Sequence, residues 1–292
     1  MGTTIKGTLI AIGGAEDKGE ENGKKKEARD VAFHSEGVLN AICELLPGRE
    51  PVIEVITVAS AAPQKSFENY QKAFRKLDVR AHHLKMESRD DAGSKTLLQR
   101  LEKCCGVMIA GGDQARLSST IGGTAVLELL QERYRNDDFV IAGTSAGAAC
   151  MSTVMMGGGS SEKGNIKGEV KLAVGLGFIG NVIIDTHFDT RARFARLAEA
   201  IANQPGIIGI GLGEDTGVII EKGSNARAIG SDSVTIIDGS EIVYDNIADI
   251  REGLPITIAK LGVYLISRFD RFDLASRTFT PAPAADRERG EG

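Results

Sequence analysis

The amino-acid sequence predicts an α/β fold with a mostly parallel central sheet, helices on both faces of that sheet, and an antiparallel C-terminal extension. Apolar runs of strand length alternate with amphipathic stretches over the first half of the chain, which is the pattern of repeated βαβ units. Several of these runs end in glycine-containing turns. After residue 217 the runs become short and alternating, with Lys-Gly and Asp-Gly turns between them, as in antiparallel hairpins.

The first half of the chain can be assigned element by element from this alternation. Its predicted strands are Thr8–Gly13, Val52–Ala59, Val79–Leu84, Val107–Ala110 and Phe139–Gly143. Its predicted helices are His34–Leu46, Gln64–Leu77, Lys95–Lys103 and one helix that follows Asp113 and runs through Leu130. Pro47-Gly48 is a helix stop signal, and the second strand is rich in β-branched residues, which favour strands.

The second half of the chain is less regular. Gly157–Lys171 is rich in glycine, serine and lysine and is predicted to be a long loop. Val182–Ile184 and Ile207–Gly211 are predicted core strands with the helix Arg193–Asn203 between them, and the edge extension comprises Val218–Ile220, Ser233–Ile237 and Glu241–Asn246. We expect a single domain over residues 1–280 and a disordered tail over 281–292, where Pro, Ala and charged residues dominate.

Composition excludes several classes of function. The 292 residues carry a net charge of −5, which argues against general nucleic-acid binding. No apolar run approaches the roughly 20 residues of a membrane span, and the amino terminus lacks the charged and apolar regions of a signal peptide. The cysteines and histidines show no metal-ligand spacing. We therefore expect a cytoplasmic protein that binds no metal, cofactor or membrane.

The most informative motif is the turn Gly143-Thr144-Ser145-Ala146-Gly147 at the end of a predicted strand. It has the pattern of a nucleophile elbow, in which a tight strand-to-helix turn exposes one serine hydroxyl above a sheet. The flanking glycines would avoid collisions, and the Ala146 N–H would point to where an oxyanion forms. A tight strand–helix connection without catalytic function would have the same pattern.

Two further chemical groups follow predicted strands. His187 comes after Val182–Ile184, and Glu214 comes after Ile207–Gly211. Because ligands bind at the carboxyl ends of strands in open α/β sheets, Ser145, His187 and Glu214 are candidates for nucleophile, base and orienting acid. The order Ser…His…Glu differs from that of α/β-hydrolases.

Other roles remain open for these groups. His187 could be a structural histidine, and Glu214 could cap the next element. In that case Asp215 or Asp185 could orient the imidazole instead.

An arginine cluster follows the candidate base. Arg193 and Arg196 share one face of a predicted helix, and Arg191 precedes or starts it. Such a cluster can be a solvated helix face. Cations at a helix N-terminus oppose the helix dipole, however, which favours a role in binding an anionic ligand.

A second glycine turn, Gly111-Gly112, follows the predicted strand Val107–Ala110. The two glycines can simply permit a turn. They could also bring the Gly112 N–H into an oxyanion hole, with Gln114 as a polar contact to the substrate.

Four motifs in register resemble a known family. They are Gly-Gly-Asp-Gln at 111–114, Gly-Thr-Ser-Ala-Gly-Ala at 143–148, Asp-x-His-Phe-x-x-Arg-x-Arg-x-x-Arg-Leu at 185–197 and Gly-Ile-Gly-x-x-Glu-Asp-Thr at 209–216. Together they resemble the cyanophycinases, serine peptidases related to aspartyl dipeptidase E. The resemblance covers roughly residues 8–220 and implies a fold like that of flavodoxins and class I glutamine amidotransferases.

The resemblance also implies an activity. Cyanophycin is an aspartate polymer whose side-chain carboxylates each carry an arginine, and such an exopeptidase would release β-Asp-Arg dipeptides through an acyl-enzyme. The alternatives are an aspartyl or isoaspartyl dipeptidase for short soluble peptides and a non-catalytic binding protein of the same fold. The family's habit further suggests a homodimer.

Residue by residue, the resemblance implies Ser145 as nucleophile, His187 as base and Glu214 as its partner, with Gly112 and Ala146 forming the oxyanion hole. The implied substrate-binding residues are Gln114, Asp185, Thr186, Arg191, Arg193 and Arg196. Arginines would bind aspartyl carboxylates, and Asp185 would bind an arginyl guanidinium. The family usually has Gln at the position of Thr186, so the substrate contact at that point is open.

Overall fold

The computed structural model describes residues 4–19, 31–158, 165–188 and 191–284. Its helices are α1 Val38–Leu45, α2 Pro63–Lys76, α3 Lys95–Lys103, α4 Gln114–Ile121, α5 Ala125–Asn136, α6 Ala146–Ala149 and α7 Arg191–Asn203. Its strands are β1 Thr8–Ile12, β2 Val52–Ile56, β3 Arg80–His83, β4 Gly106–Ile109, β5 Val140–Thr144, β6 Val154–Gly158, β7 Lys171–Val174, β8 Val182–Thr186, β9 Ile208–Leu212, β10 Thr216–Glu221, β11 Asn225–Gly230, β12 Val234–Asp238, β13 Tyr244–Asp245, β14 Ile258–Ala259, β15 Gly262–Ile266, β16 Arg271–Asp273 and β17 Thr278–Thr280.

The largest sheet has nine strands in the order β17-β16-β11-β10-β1-β5-β4-β2-β3. From β1 to β3 all neighbouring strands are parallel, and from β1 to β17 all are antiparallel. The predicted parallel sheet and an antiparallel C-terminal extension are therefore confirmed. Of the three runs predicted for the extension, only Val218–Ile220 lies in this sheet, because Ser233–Ile237 overlaps β12 and Glu241–Asn246 overlaps β13, which pair in other sheets.

Both faces of this sheet are buried by helices. Alternate residues of β1 point to opposite faces, so Leu9 packs with α3, α4 and α5, whereas Ile10 packs with α1 and α2. A sheet buried on both faces requires nearly continuous apolar strands, which β1, β4 and β5 have.

The helix predicted to run through Leu130 is in fact two helices, α4 and α5. Gly122 and Gly123 lie between α4 and α5 and interrupt the helix, because glycine is a poor helix former. Thr124 then caps α5 by accepting from the Leu127 N–H at 3.5 Å.

The strands β8 and β9 do not join the central sheet as the alternation suggested. They are parallel neighbours in a separate four-stranded sheet of order β15-β12-β9-β8, in which β12 and β15 add antiparallel pairings. The place beside β1 is taken by β10, which starts two residues after Glu214 and pairs antiparallel with β1. The three candidate catalytic residues therefore follow strands of two different sheets: Ser145 follows β5 of the large sheet, whereas His187 and Glu214 follow β8 and β9 of the smaller one.

Two predicted irregular segments are partly structured. The predicted loop Gly157–Lys171 overlaps the antiparallel strands β6 and β7, and its residues 159–164 lie outside the described part of the chain. In the predicted tail, Ala282 is buried and its N–H donates to Asp270 Oδ1 at 2.8 Å. Residues 285–292 of that tail lie outside the described part.

Candidate active site

Ser145 occupies a sharp turn between β5 and α6. Its φ of 50° and ψ of −117° are unfavourable for a residue with a side chain, and such strain persists only where surrounding structure enforces it. Its N–H donates to the carbonyl of Ile12 in β1 at 2.9 Å. The turn is therefore the strained elbow that the motif predicted.

The glycines on either side of Ser145 allow close packing. A Cβ on Gly143 would lie 2.7 Å from the carbonyl of Gly147, and a Cβ on Gly147 would lie 3.0 Å from the carbonyl carbon of Ile109. Both distances are far below van der Waals contact, so larger residues would push α6 away from β4 and β5. This is the steric requirement expected from the sequence.

Ser145, His187 and Glu214 form a continuous hydrogen-bonded array. Ser145 Oγ lies 2.8 Å from His187 Nε2, and His187 Nδ1 lies 2.6 Å from Glu214 Oε1. With the proton on Nδ1 donated to the carboxylate, Nε2 is free to accept the serine proton. The arrangement has the geometry of a serine nucleophile with its base and orienting acid.

The other two carboxylates considered as partners of His187 are engaged elsewhere. Asp215 accepts from the Asp17 N–H at 2.9 Å and from the Ser231 hydroxyl at 2.7 Å, and burial raises the pKa of Asp215 above its usual value. The Asp185 carboxylate binds arginines. Glu214 is therefore the carboxylate in contact with the imidazole.

Residues at the carboxyl end of β1 bind the backbone of Ser145, of His187 and of the residue that follows Glu214. Three successive carbonyls, those of Ile12, Gly13 and Gly14, accept the N–H groups of Ser145, His187 and Asp215 at 2.9, 3.1 and 2.8 Å. Each donor residue has a positive φ, of 50°, 54° and 47° respectively. One short backbone segment therefore sets the spacing of the nucleophile, the base and the loop that carries the acid.

Sequence reasoning missed this function of Gly13-Gly14. A Cβ on Gly14 would lie 2.8 Å from His187 Nδ1 and 3.1 Å from Glu214 Oε2, so only glycine leaves room for the imidazole. Two adjacent glycines directly after a buried strand were the available signal, because they mark a close approach of backbone to another group.

The predicted oxyanion donors lie beside the serine. Gly112 and Ala146 line the same cavity as Ser145. Within the described residues neither backbone N–H donates to a protein acceptor. Both are therefore available to a ligand oxygen, as an oxyanion hole requires.

The cavity at the serine has a volume of about 250 Å³. Nearly all the predicted site residues line it, namely Gly112, Gln114, Ser145, Ala146, Asp185, Thr186, His187, Arg193 and Arg196. Gln114 Nε2 donates to the Met156 carbonyl at 2.9 Å, and among the described residues no donor binds its Oε1, which is available to a ligand. The side chain of Arg191 lies outside the described part of the structure.

Asp185 binds two arginines of the cavity wall. Its side chain is 2% exposed, and it accepts from Arg193 Nη1 at 3.0 Å, from Arg196 Nε at 2.9 Å and from Arg196 Nη2. Both of its oxygens thus accept arginine N–H groups, and Asp185 orients the two guanidinium groups. Two guanidinium groups on one carboxylate leave a net positive charge at this wall of the cavity.

The described residues contain no group of three or more His, Cys, Asp or Glu side chains placed to hold a metal ion. None of their helices is both long and apolar enough to cross a bilayer.

Comparison with known proteins places the chain in a family. It is 34% identical over 278 residues to a cyanophycinase of Trichormus variabilis, covering 95% of this chain and 89% of that one. It is 35% identical over 270 residues to a cyanophycinase of Synechococcus elongatus, covering 92% and 80%.

A solved structure of a peptidase from an acI-B1 actinobacterium has the same fold, with a TM-score of 0.61 and 19% identity over 91% of this chain and 98% of that one. The family model for peptidase family S51 matches residues 31–228, a span that includes Ser145, His187 and Glu214. The chain therefore belongs to peptidase family S51.

Proposed function

We propose that this protein is a serine exopeptidase that hydrolyses cyanophycin to β-Asp-Arg dipeptides. One observation carries the proposal: the Ser145–His187–Glu214 array lies at a cavity that is also lined by two arginines, Arg193 and Arg196. The array suits hydrolysis of an amide, and the arginines suit a substrate rich in carboxylates. The cyanophycinases that it resembles support the choice of polymer.

The proposed reaction begins with attack of Ser145 Oγ on a peptide carbonyl, while His187 Nε2 takes the hydroxyl proton. Glu214 stabilises the resulting imidazolium through Nδ1–H. The N–H groups of Gly112 and Ala146 stabilise the oxyanion. His187 then protonates the leaving amine, and water, activated by the same imidazole, hydrolyses the acyl-enzyme and regenerates Ser145.

Substrate recognition is proposed to depend on charge at the arginine wall. Arg193 and Arg196 donate some N–H groups to Asp185, and their remaining N–H groups can bind an aspartyl carboxylate. Gln114 Oε1 and the Thr186 hydroxyl are neutral contacts beside them. Thr186 is shorter than the glutamine common in the family, so it leaves more room at this point.

The deciding experiment incubates the protein with insoluble cyanophycin and analyses the released products by mass spectrometry. Release of β-Asp-Arg supports the proposal. Cleavage of soluble aspartyl or isoaspartyl dipeptides without release from the polymer would instead assign the protein as a dipeptidase. Binding of either substrate without turnover would assign it as a binding protein.

Replacing Arg193 with glutamine should raise KM for the polymer by at least about tenfold, because a charge-assisted contact with a carboxylate is worth about 1.5–3 kcal/mol. We expect kcat to change by less than threefold, since Arg193 does not contact the reacting atoms. Asp185 keeps its two contacts from Arg196, so the fold should persist.

Initial rates over a range of substrate concentrations measure the Arg193 effect. Arg116→Gln is the matched control, because Arg116 lies on α4 and does not line the cavity. An equal rise in KM for both variants would contradict a specific role for Arg193.

The expected homodimeric state rests on the family resemblance, whereas the expected cytoplasmic location rests on the composition of the sequence. Light scattering of the purified protein and fractionation of the source cells test them independently of activity.

A further inference from the structure

A buried carboxylate that takes no part in the proposed reaction lies directly behind the nucleophile turn. Glu16 is 5% exposed and follows β1 by four residues. Its Oε2 accepts from the Thr144 hydroxyl at 2.7 Å, and its Oε1 accepts from Lys18 Nζ at 2.7 Å and from the Tyr70 hydroxyl. Both oxygens of this carboxylate are therefore hydrogen-bonded.

The charge of Glu16 is stabilised by these neighbours. Burial alone would raise the pKa of the Glu16 carboxyl, but the Lys18 ammonium and the hydroxyls of Tyr70 and Thr144 outweigh it and hold that pKa below its usual value. Burial and the adjacent Glu16 carboxylate raise the pKa of Tyr70 well above its usual value. At neutral pH Glu16 is thus an anionic acceptor and Tyr70 a neutral donor.

Thr144 connects this carboxylate to the nucleophile. It is the last residue of β5, is 5% exposed, and immediately precedes Ser145. The end of β1 and the segment after it therefore hold two successive residues of the turn: Glu16 accepts from the Thr144 hydroxyl, and the Ile12 carbonyl accepts from the Ser145 N–H. Fixing residues 144 and 145 in this way restricts the backbone torsions that aim the serine side chain.

We propose that Glu16 is a positioning residue that acts through the Thr144 hydroxyl to hold Ser145 in its left-handed conformation, with Oγ directed at His187 Nε2. The same segment holds His187 and Asp215 through the carbonyls of Gly13 and Gly14. Residues 12–16 then align the nucleophile with its base, without contacting the substrate. This inference rests on the proposed role of Ser145 as the nucleophile.

The test removes the Thr144 hydroxyl and then restores it. Thr144→Val is nearly isosteric and should lower kcat by at least about tenfold, with KM within about twofold of wild type, as expected when only alignment for reaction is lost. Thr144→Ser keeps the hydroxyl and should recover kcat to within about threefold of wild type. Glu16→Gln, which keeps the shape but loses the charge, should lower kcat in the same direction.

A second readout does not depend on the peptide substrate. A fluorophosphonate forms an Oγ–phosphorus bond with an activated serine and releases fluoride, while the serine proton passes to the base. Its second-order rate of labelling at Ser145, located by peptide mass mapping, should fall in parallel with kcat in Thr144→Val and recover in Thr144→Ser. If wild type labels at Ser145 but does not cleave cyanophycin, the proposed substrate is wrong while the positioning role is still measured.

Thr57→Val is the matched control. Thr57 is also buried, its hydroxyl bonds His83 Nε2 at 2.7 Å, and it follows β2, two strands from β5. It should lose thermal stability without losing kcat or labelling rate.

The proposal is overturned if folded Thr144→Val and Glu16→Gln have lower melting temperatures but wild-type kcat and labelling rates. That result would make the Glu16 cluster purely stabilising. If Thr144→Val does not fold, wild-type rates in Glu16→Gln alone overturn the proposal.

Discussion

Replacement of Ser145 by alanine is expected to lower the rate of β-Asp-Arg release by at least about a thousandfold, because the acyl-enzyme can no longer form. Some acceleration should remain from the oxyanion donors and from substrate binding, as in other serine hydrolases that have lost a triad member. Turnover of cyanophycin followed by mass spectrometry measures the effect. KM and the melting temperature should change little, since alanine fits the space of the serine.

Ser119→Ala is the control for the Ser145 experiment. Ser119 is exposed on α4 and donates to the Arg116 carbonyl at 3.2 Å, so its loss should leave turnover unchanged. A Ser145→Ala variant with near-wild-type turnover would exclude Ser145 as the nucleophile.

Replacement of Glu214 by glutamine is expected to lower kcat by about 10⁴-fold, the loss found when the acid of a Ser-His-Asp triad becomes an amide. The glutamine amide can donate to Nδ1 and so favour the wrong tautomer of the imidazole. It also carries no charge to stabilise the imidazolium. The 2.6 Å contact between His187 Nδ1 and Glu214 Oε1 makes this prediction specific to residue 214. Steady-state rates at saturating substrate measure it.

Asp215→Asn tests the same question at the adjacent carboxylate. Asp215 accepts from Asp17 N–H and from the Ser231 hydroxyl instead of from His187. We expect its effect on kcat to be below tenfold. A larger loss in Asp215→Asn than in Glu214→Gln would show that the third member of the triad is Asp215.

Much of the first half of the fold could be predicted because the signals there are local. The strand before Ser145 is continuously apolar and ends in small residues, and Lys95–Lys103 has the predicted bounds. The break at Gly122-Gly123 was missed because apolar spacing continues across both helices, whereas the cap at Thr124 depends on a single side chain.

The division of the strands between two sheets could not be predicted in the same way. A short apolar run such as Val182–Ile184 is compatible with any buried sheet. Which strands lie beside it depends on backbone pairing with residues that are distant in the sequence. In the structure β8 pairs with β9, while β10 takes the position beside β1. These pairings depend on the whole chain packing at once.

The sequence by itself determined the chemistry at this site: which side chains follow the strands, where glycine is needed at the serine turn, and that arginines lie after the histidine. Only the tertiary structure decided their partners. Glu214 faces His187, whereas Asp185 is enclosed by Arg193 and Arg196. The physical reason is range, since hydrogen bonds act over about 3 Å and their partners here come from separate elements. For the same reason, the Gly143–Gly147 turn could be predicted from its own residues, but the contact of the Glu16 carboxylate with Thr144 could not.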